Sequence, residues 1–200
     1  MQKESVGWLS GVVVALFAMG CLGGSPAPEF YRLDAGAVGG APLASLPELG
    51  IAVGPIEFPR YLDRSEIVTR DGAHRLVLGS GHRWSGSLRS DVQRVLADDL
   101  AALLGTSRVA VYPVEPRFPV AWRVLLDVRS FEGVPGQSVV LRARWMVASG
   151  ADGRAVAVEE SVVEQAVASD SWEDYVAAHN TALGAVTREI AERIATLATR

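Results

Sequence analysis

The residue types that could do chemistry in this chain are few, and most lack the neighbours the chemistry needs. Gly79-Ser80-Gly81 has the composition of a phosphate-cradling loop, but no Lys-Ser/Thr follows it and the GxGxxG spacing does not continue. It is expected to be a flexible turn from a strand into a helix. Asp98-Asp99 and Glu159-Glu160 are paired carboxylates, the residue type of general acid–base catalysis. Adjacent positions on a helix or strand project in different directions, so neither pair can readily share one substrate, and both read as solvated. His82 stands beside Arg83 and Trp84 without a Gly-x-Ser-x-Gly elbow to serve, and no catalytic role is assigned to it. The three histidines (His74, His82, His179) and the single cysteine, Cys21, are too widely spaced to assemble a zinc or iron–sulfur ligand set. No enzyme activity, metal or cofactor is expected. Arg123, Arg129, Arg142 and Arg144 would share one face of a sheet, where they could meet an acidic partner or simply form its wet side.

The elements that position these residues follow from periodicity. The chain has 200 residues, 49% hydrophobic and 21% charged, enough apolar surface for one packed domain. Its formal charge is −4, which gives no general reason to approach a nucleic acid. Phe30–Asp34 and Ile51–Phe58 are short strand-like runs around a Gly/Ala/Pro-rich loop, and Pro55 predicts an edge or a break. Glu66–Arg70 and Arg75–Leu78 flank Asp71-Gly72-Ala73-His74 as a hairpin. Leu88, Val92, Val95, Leu96, Leu100, Leu103 and Leu104 recur at helical steps between a Ser87 cap and Gly105. Arg108–Pro113 is a further short run, and Val120–Phe131, Val139–Val147 and Arg154–Ala168 read as an antiparallel meander, with a bulge expected near Glu159–Ser161. Ser171-Trp-Glu-Asp174 opens a long terminal helix. The expected fold class is α+β: a mainly antiparallel sheet with two amphipathic helices packed on one face.

The N-terminus carries the strongest signal. Lys3 precedes an apolar run from Gly7 to Gly20, about fourteen residues and shorter than the roughly 20 that span a bilayer. This is the length of a signal-peptide core. Ala18-Met19-Gly20-Cys21 resembles the lipobox of bacterial lipoproteins, in which the cysteine thiol receives a diacylglyceryl group. Residues 1–20 are therefore expected to be a signal peptide, and residues 21–29 a lipidated cysteine and tether, Leu22-Gly-Gly-Ser-Pro-Ala-Pro28 being flexible in composition. Residues 30–200 are expected to be a single domain. Several acyl chains at about 0.8 kcal/mol per buried methylene would hold that domain firmly at a bilayer.

From Tyr31 to the last helix the order of elements resembles the ABC-type transport auxiliary lipoproteins, the PqiC-type family associated with MCE-domain lipid transport systems. Phe30-Tyr-Arg-Leu-Asp34 is similar to that family's Tyr-x-Leu opening, and Pro59-Arg-Tyr-Leu-Asp-Arg-Ser-Glu-Ile-Val-Thr-Arg70 is the most specific match. The stretch Trp84–Leu104, read as helix, continues it. The resemblance implies a non-enzymatic, periplasm-facing accessory subunit that docks on an MCE-domain partner and supports intermembrane lipid transport and envelope integrity. It brings no catalytic residues. Leu22 after the cysteine, rather than Asp, favours the outer membrane by likeness to other exported lipoproteins; the inner membrane is the alternative. Tyr61, Leu62, Asp63 and Arg64 are the candidate partner contact, with a structural turn as the competing reading. A ring-like homo-oligomer would suit a ring-forming partner. The alternative function is a periplasmic carrier that holds lipid between its own sheet and helices.

Overall fold

A computed structural model describes residues 27–199. Its elements in chain order are β1 (Glu29–Tyr31), β2 (Ile51–Glu57), β3 (Glu66–Arg70), β4 (Leu76–Trp84), α1 (Leu88–Leu104), β5 (Val109–Val111), β6 (Trp122–Val134), β7 (Ser138–Ser149), β8 (Ala155–Ala166) and α2 (Trp172–Ala198). The fold class is α+β as expected. The strands form two mixed sheets, a five-stranded one ordered β5-β2-β6-β7-β8 and a three-stranded one ordered β1-β4-β3. The meander β6-β7-β8 and the hairpin β3-β4 are antiparallel as read from the sequence. Three pairings are parallel: β1 with β4, β2 with β5, and β2 with β6. Parallel partners come from distant parts of a chain, so local turn signals do not reveal them.

Local expectations change at three places, and Pro55 takes one of its two readings. Pro55 lies in an interior strand, β2, whose register against β6 shifts between Val53 and Ile56; it marks a break and not an edge. Gly79-Ser80-Gly81 is part of β4 and not a turn into a helix, and Trp84 ends that strand before α1 begins. The bulge in the third meander strand falls where Val147 and Ala148 pair with Ala157 and Ala155, while Glu159–Ser161 pair regularly. A further shift in β6, between Val128 and Ser130, has a consequence for the site below.

Both helices lie on one face of the larger sheet, α1 against β2 and β5, α2 against β7 and β8, and touch each other. Leu96, Leu100 and Leu104 of α1, Leu183, Val186 and Ile190 of α2, and Leu126, Leu141 and Trp145 of the sheet are fully enclosed between the layers. Ser87 caps α1, and Gly105 ends it in the left-handed conformation at φ +59° with its N–H on the Ala101 carbonyl. The loop before β2 satisfies the last carbonyls of α1: Leu43 N–H donates to Leu103 at 2.7 Å and Leu46 N–H to Leu104 at 2.9 Å. At the start of α2 the Ser171 hydroxyl accepts from Asp174 N–H at 3.1 Å. The reciprocal arm of this cap runs through Ser169, whose hydroxyl donates to the Asp174 carboxylate at 2.5 Å and accepts from Ser171 N–H at 3.1 Å.

His179 projects from α2 into the core among Trp84, Phe131 and Tyr175, with ring centroids 4.7 Å from the last two. Its Nδ1 lies 2.8 Å from the Tyr175 carbonyl and so carries the proton, leaving Nε2 buried without a partner among the described residues. Burial pushes its pKa down to about 4, against a smaller opposing effect of the backbone hydrogen bonds. The sign of the linkage follows. Below an unfolded pKa of about 6.5, the unfolded chain binds a proton that the folded chain refuses until about pH 4, so stability declines by about 1.4 kcal/mol per pH unit across that window. Urea midpoints measured from pH 7 to pH 5 are expected to fall more steeply for the native chain than for His179→Met. Asp99, whose pKa burial raises, contributes with the opposite sign equally in both chains. Equal slopes would contradict the assignment.

Candidate functional site

The polar centre of the molecule is a carboxylate that the sequence places at the end of a strand. Val124, Leu126 and Val128 of β6 face the helices; after the register shift Phe131 takes the inward side against His179, and Glu132 points the other way. That outward side is not wet, because β3 and the turn before it cover it. Glu132 is 1% exposed. Its Oε1 accepts from Arg70 Nε at 2.9 Å and Nη2 at 2.6 Å; its Oε2 accepts from the Tyr61 hydroxyl at 2.8 Å and from Phe131 N–H at 2.8 Å. Every lone-pair direction that burial would leave costly is thus answered. Burial, and then the hydrogen bond to Glu132, hold the Tyr61 hydroxyl well above the ordinary phenol range.

This clasp decides what the Tyr61–Arg64 segment presents. The segment is a turn, with Leu62 N–H on the Pro59 carbonyl at 3.0 Å. Tyr61 turns inward to Glu132, and Leu62 is 2% exposed in the core. Asp63 and Arg64 remain at the surface, Asp63 accepting from Arg89 of α1 at 3.0 Å and Arg64 pairing with Glu66 at 3.3 Å. The structural reading therefore accounts for Tyr61 and Leu62, while Asp63 and Arg64 stay at the surface, each in an ion pair within the chain. Cys21 lies outside the described residues.

The remaining chemical candidates take internal roles. Gly79 lies under the indole of Trp172, where a Cβ would come within 2.8 Å of the ring, and Gly81 adopts φ +78°. The Gly-Ser-Gly wording thus lets an aromatic side chain lie close on β4. His82 stacks on that indole with centroids 4.2 Å apart and places Nδ1 3.1 Å from the Tyr31 hydroxyl. Burial and Glu29 push the Tyr31 pKa up to about 12. Glu159 and Glu160 do diverge, Glu159 pairing with Arg193 of α2. Asp99 is not solvated as expected: it is buried and accepts from Gly36 N–H at 2.7 Å, because the loop before β2 folds over this part of α1. Arg142 and Arg144 line the helix-free face of the meander, where Arg129 pairs with Asp127 at 3.1 Å. A shallow depression of about 370 Å³ beside them is lined by Pro55, Leu125, Met146 and Val158 together with Glu57 and Arg144. Sequence reasoning missed Glu132, Arg70 and His179; an acidic residue next to a turn carries no local sign of burial.

Residues 31–191 match the family described as ABC-type transport auxiliary lipoprotein component, and the chain belongs to that family. It is an auxiliary lipoprotein component of ABC-type transport systems, a family of lipid-anchored envelope proteins and not of enzymes. A search of curated proteins returned no match. Among solved structures, the crystal structure of an uncharacterized protein matches with a TM-score of 0.69 and 18% identity, covering 84% of this chain and 99% of that one. A Xanthomonas campestris protein of the family labelled DUF330 matches with a TM-score of 0.64 and 19% identity, covering 82% and 92%. At these identities the likeness establishes the fold.

Tyr61→Phe removes one hydrogen bond to a buried carboxylate while keeping the ring, and is expected to cost about 1.5–3 kcal/mol of unfolding free energy. Chemical denaturation checks this; a loss of only a few tenths would mean that the clasp is dispensable.

Proposed function

We propose that the chain is a periplasm-facing accessory subunit, fastened to a membrane through lipid on Cys21, that docks on the MCE-domain protein of an ABC lipid transport system and supports lipid movement between membranes. The family match over residues 31–191 carries this reading. The composition of Leu22-Gly-Gly-Ser-Pro-Ala-Pro28 after Cys21 agrees with it. Leu22 favours the outer membrane, with the domain on the periplasmic side. Docking by this segment falls to Asp63 and Arg64, the exposed half of a turn whose other half is held inside. The alternative of a lipid carrier would place an acyl chain between sheet and helices. That space is filled by Trp145, Tyr175, Phe131, Leu96 and Leu141, each under 2% exposed, which favours the adaptor.

Replacing Cys21 by Ala is expected to move the protein from the membrane to the soluble periplasmic fraction and to abolish labelling with a fatty-acid analogue. Unchanged membrane association with retained acyl labelling would defeat the anchoring reading.

A further inference from the structure

The strongest exposed apolar feature of the smaller sheet is the tip of the β3–β4 hairpin. Leu76, Val77 and Leu78 are consecutive in β4 and 40–42% exposed. Leu76 and Leu78 share one face of the strand and Val77 takes the other, so both faces of the hairpin end expose aliphatic side chains, unlike the scattered apolar residues of an ordinary surface. The tip is held firmly: Arg70, fixed by Glu132, also donates to the Ala73 carbonyl at 3.2 Å, and Asp71 pairs with Arg75. That ion pair leaves the tip nearly neutral, and the stem of Arg75 can lie along an apolar layer with its charge outside.

The direction of β1 says what faces this tip. β1 runs parallel to β4, with Glu29 opposite His82 and Tyr31 opposite Trp84. The chain therefore enters β1 from the hairpin-tip end of β4. At about 3.3 Å per residue, the six steps from His82 back to Leu76 span roughly 20 Å. The eight steps from Glu29 back to Cys21 can reach at most roughly 26–29 Å. A leaflet holding Cys21 can thus lie as far out as the level of the tip, on the side from which the chain enters β1.

We propose that the β3–β4 hairpin tip, through Leu76, Val77 and Leu78, rests in the lipid leaflet that receives the Cys21 anchor. Two contacts then orient the domain, where a tether alone would leave it free to tumble. This inference rests on the anchoring reading above and goes beyond it by naming the face that meets lipid. Phe30, 60% exposed on β1 beside the entry of the tether, lies in the same sheet. The exposed valines of β8 belong to the other sheet and are assigned no lipid contact.

The test uses the full mature protein in vesicles of phosphatidylethanolamine and phosphatidylglycerol that contain spin-labelled lipids. An environment-sensitive fluorophore is placed on Val77→Cys, on Ala73→Cys in the turn, and, for reference, on Val162→Cys in β8. The mass of the Cys21 peptide is read from the same samples. Acylated Cys21, with labels at 77 and 73 blue-shifted and losing most of their emission to the lipid quencher while the label at 162 does not, is the expected result. Acylated Cys21 with all three labels in water overturns the hairpin contact and leaves the anchor standing. An unmodified Cys21 overturns both.

Discussion

A carboxylate cannot be enclosed by protein unless its charge is answered, and in this molecule the answer joins the two sheets. Glu132 belongs to the larger sheet, whereas Arg70 and Tyr61 belong to the smaller sheet and the turn that leads into it. Removing one partner from such a group typically costs several kcal/mol, while the intact arrangement contributes little net stability beyond what an apolar filling would supply. Its effect is therefore on geometry. Arg70 of β3 and the inward-turned Tyr61 both meet Glu132, and Glu132 faces them because β6 shifts register between Val128 and Ser130.

Much of the architecture is legible from the sequence because it depends on neighbours along the chain. The meander, the hairpin at Asp71–His74, the Ser87 and Gly105 ends of α1 and the Ser171 start of α2 all rest on contacts within a few residues. Pairings between distant strands escape that kind of reasoning. The parallel placement of β2 between β5 and β6, and of β1 beside β4, joins segments 50 to 70 residues apart with no local signature. Gly79 and Gly81 show how a familiar composition misleads: within β4 the first accommodates the ring of Trp172 and the second adopts φ +78°, and neither opens a helix.

The stretch that carries the family resemblance, Pro59 to Arg70, contains both side chains of the clasp, Tyr61 and Arg70. What makes this segment recognisable in this chain is thus first an architectural demand, and only Asp63 and Arg64 of the Tyr61–Arg64 turn stay at the surface. Periodicity could not separate these roles, since Tyr61 and Leu62 look as suited to a groove on another protein as to their own core. The neutral His179 and the buried Asp99 were equally invisible, one lying on a helix face among apolar residues and the other adjacent to an acid that does reach solvent.

The family is one of lipid-anchored proteins, and the structure gives this member a domain with Tyr61, Arg70 and Glu132 joined internally and Asp63 and Arg64 at its surface. Site-specific photocrosslinking from position 64 in intact cells tests this account most directly. A covalent adduct with the MCE-domain protein of the same transport system is the predicted product. Adducts formed only with acyl lipid, or none with any transport component despite correct export, would contradict it.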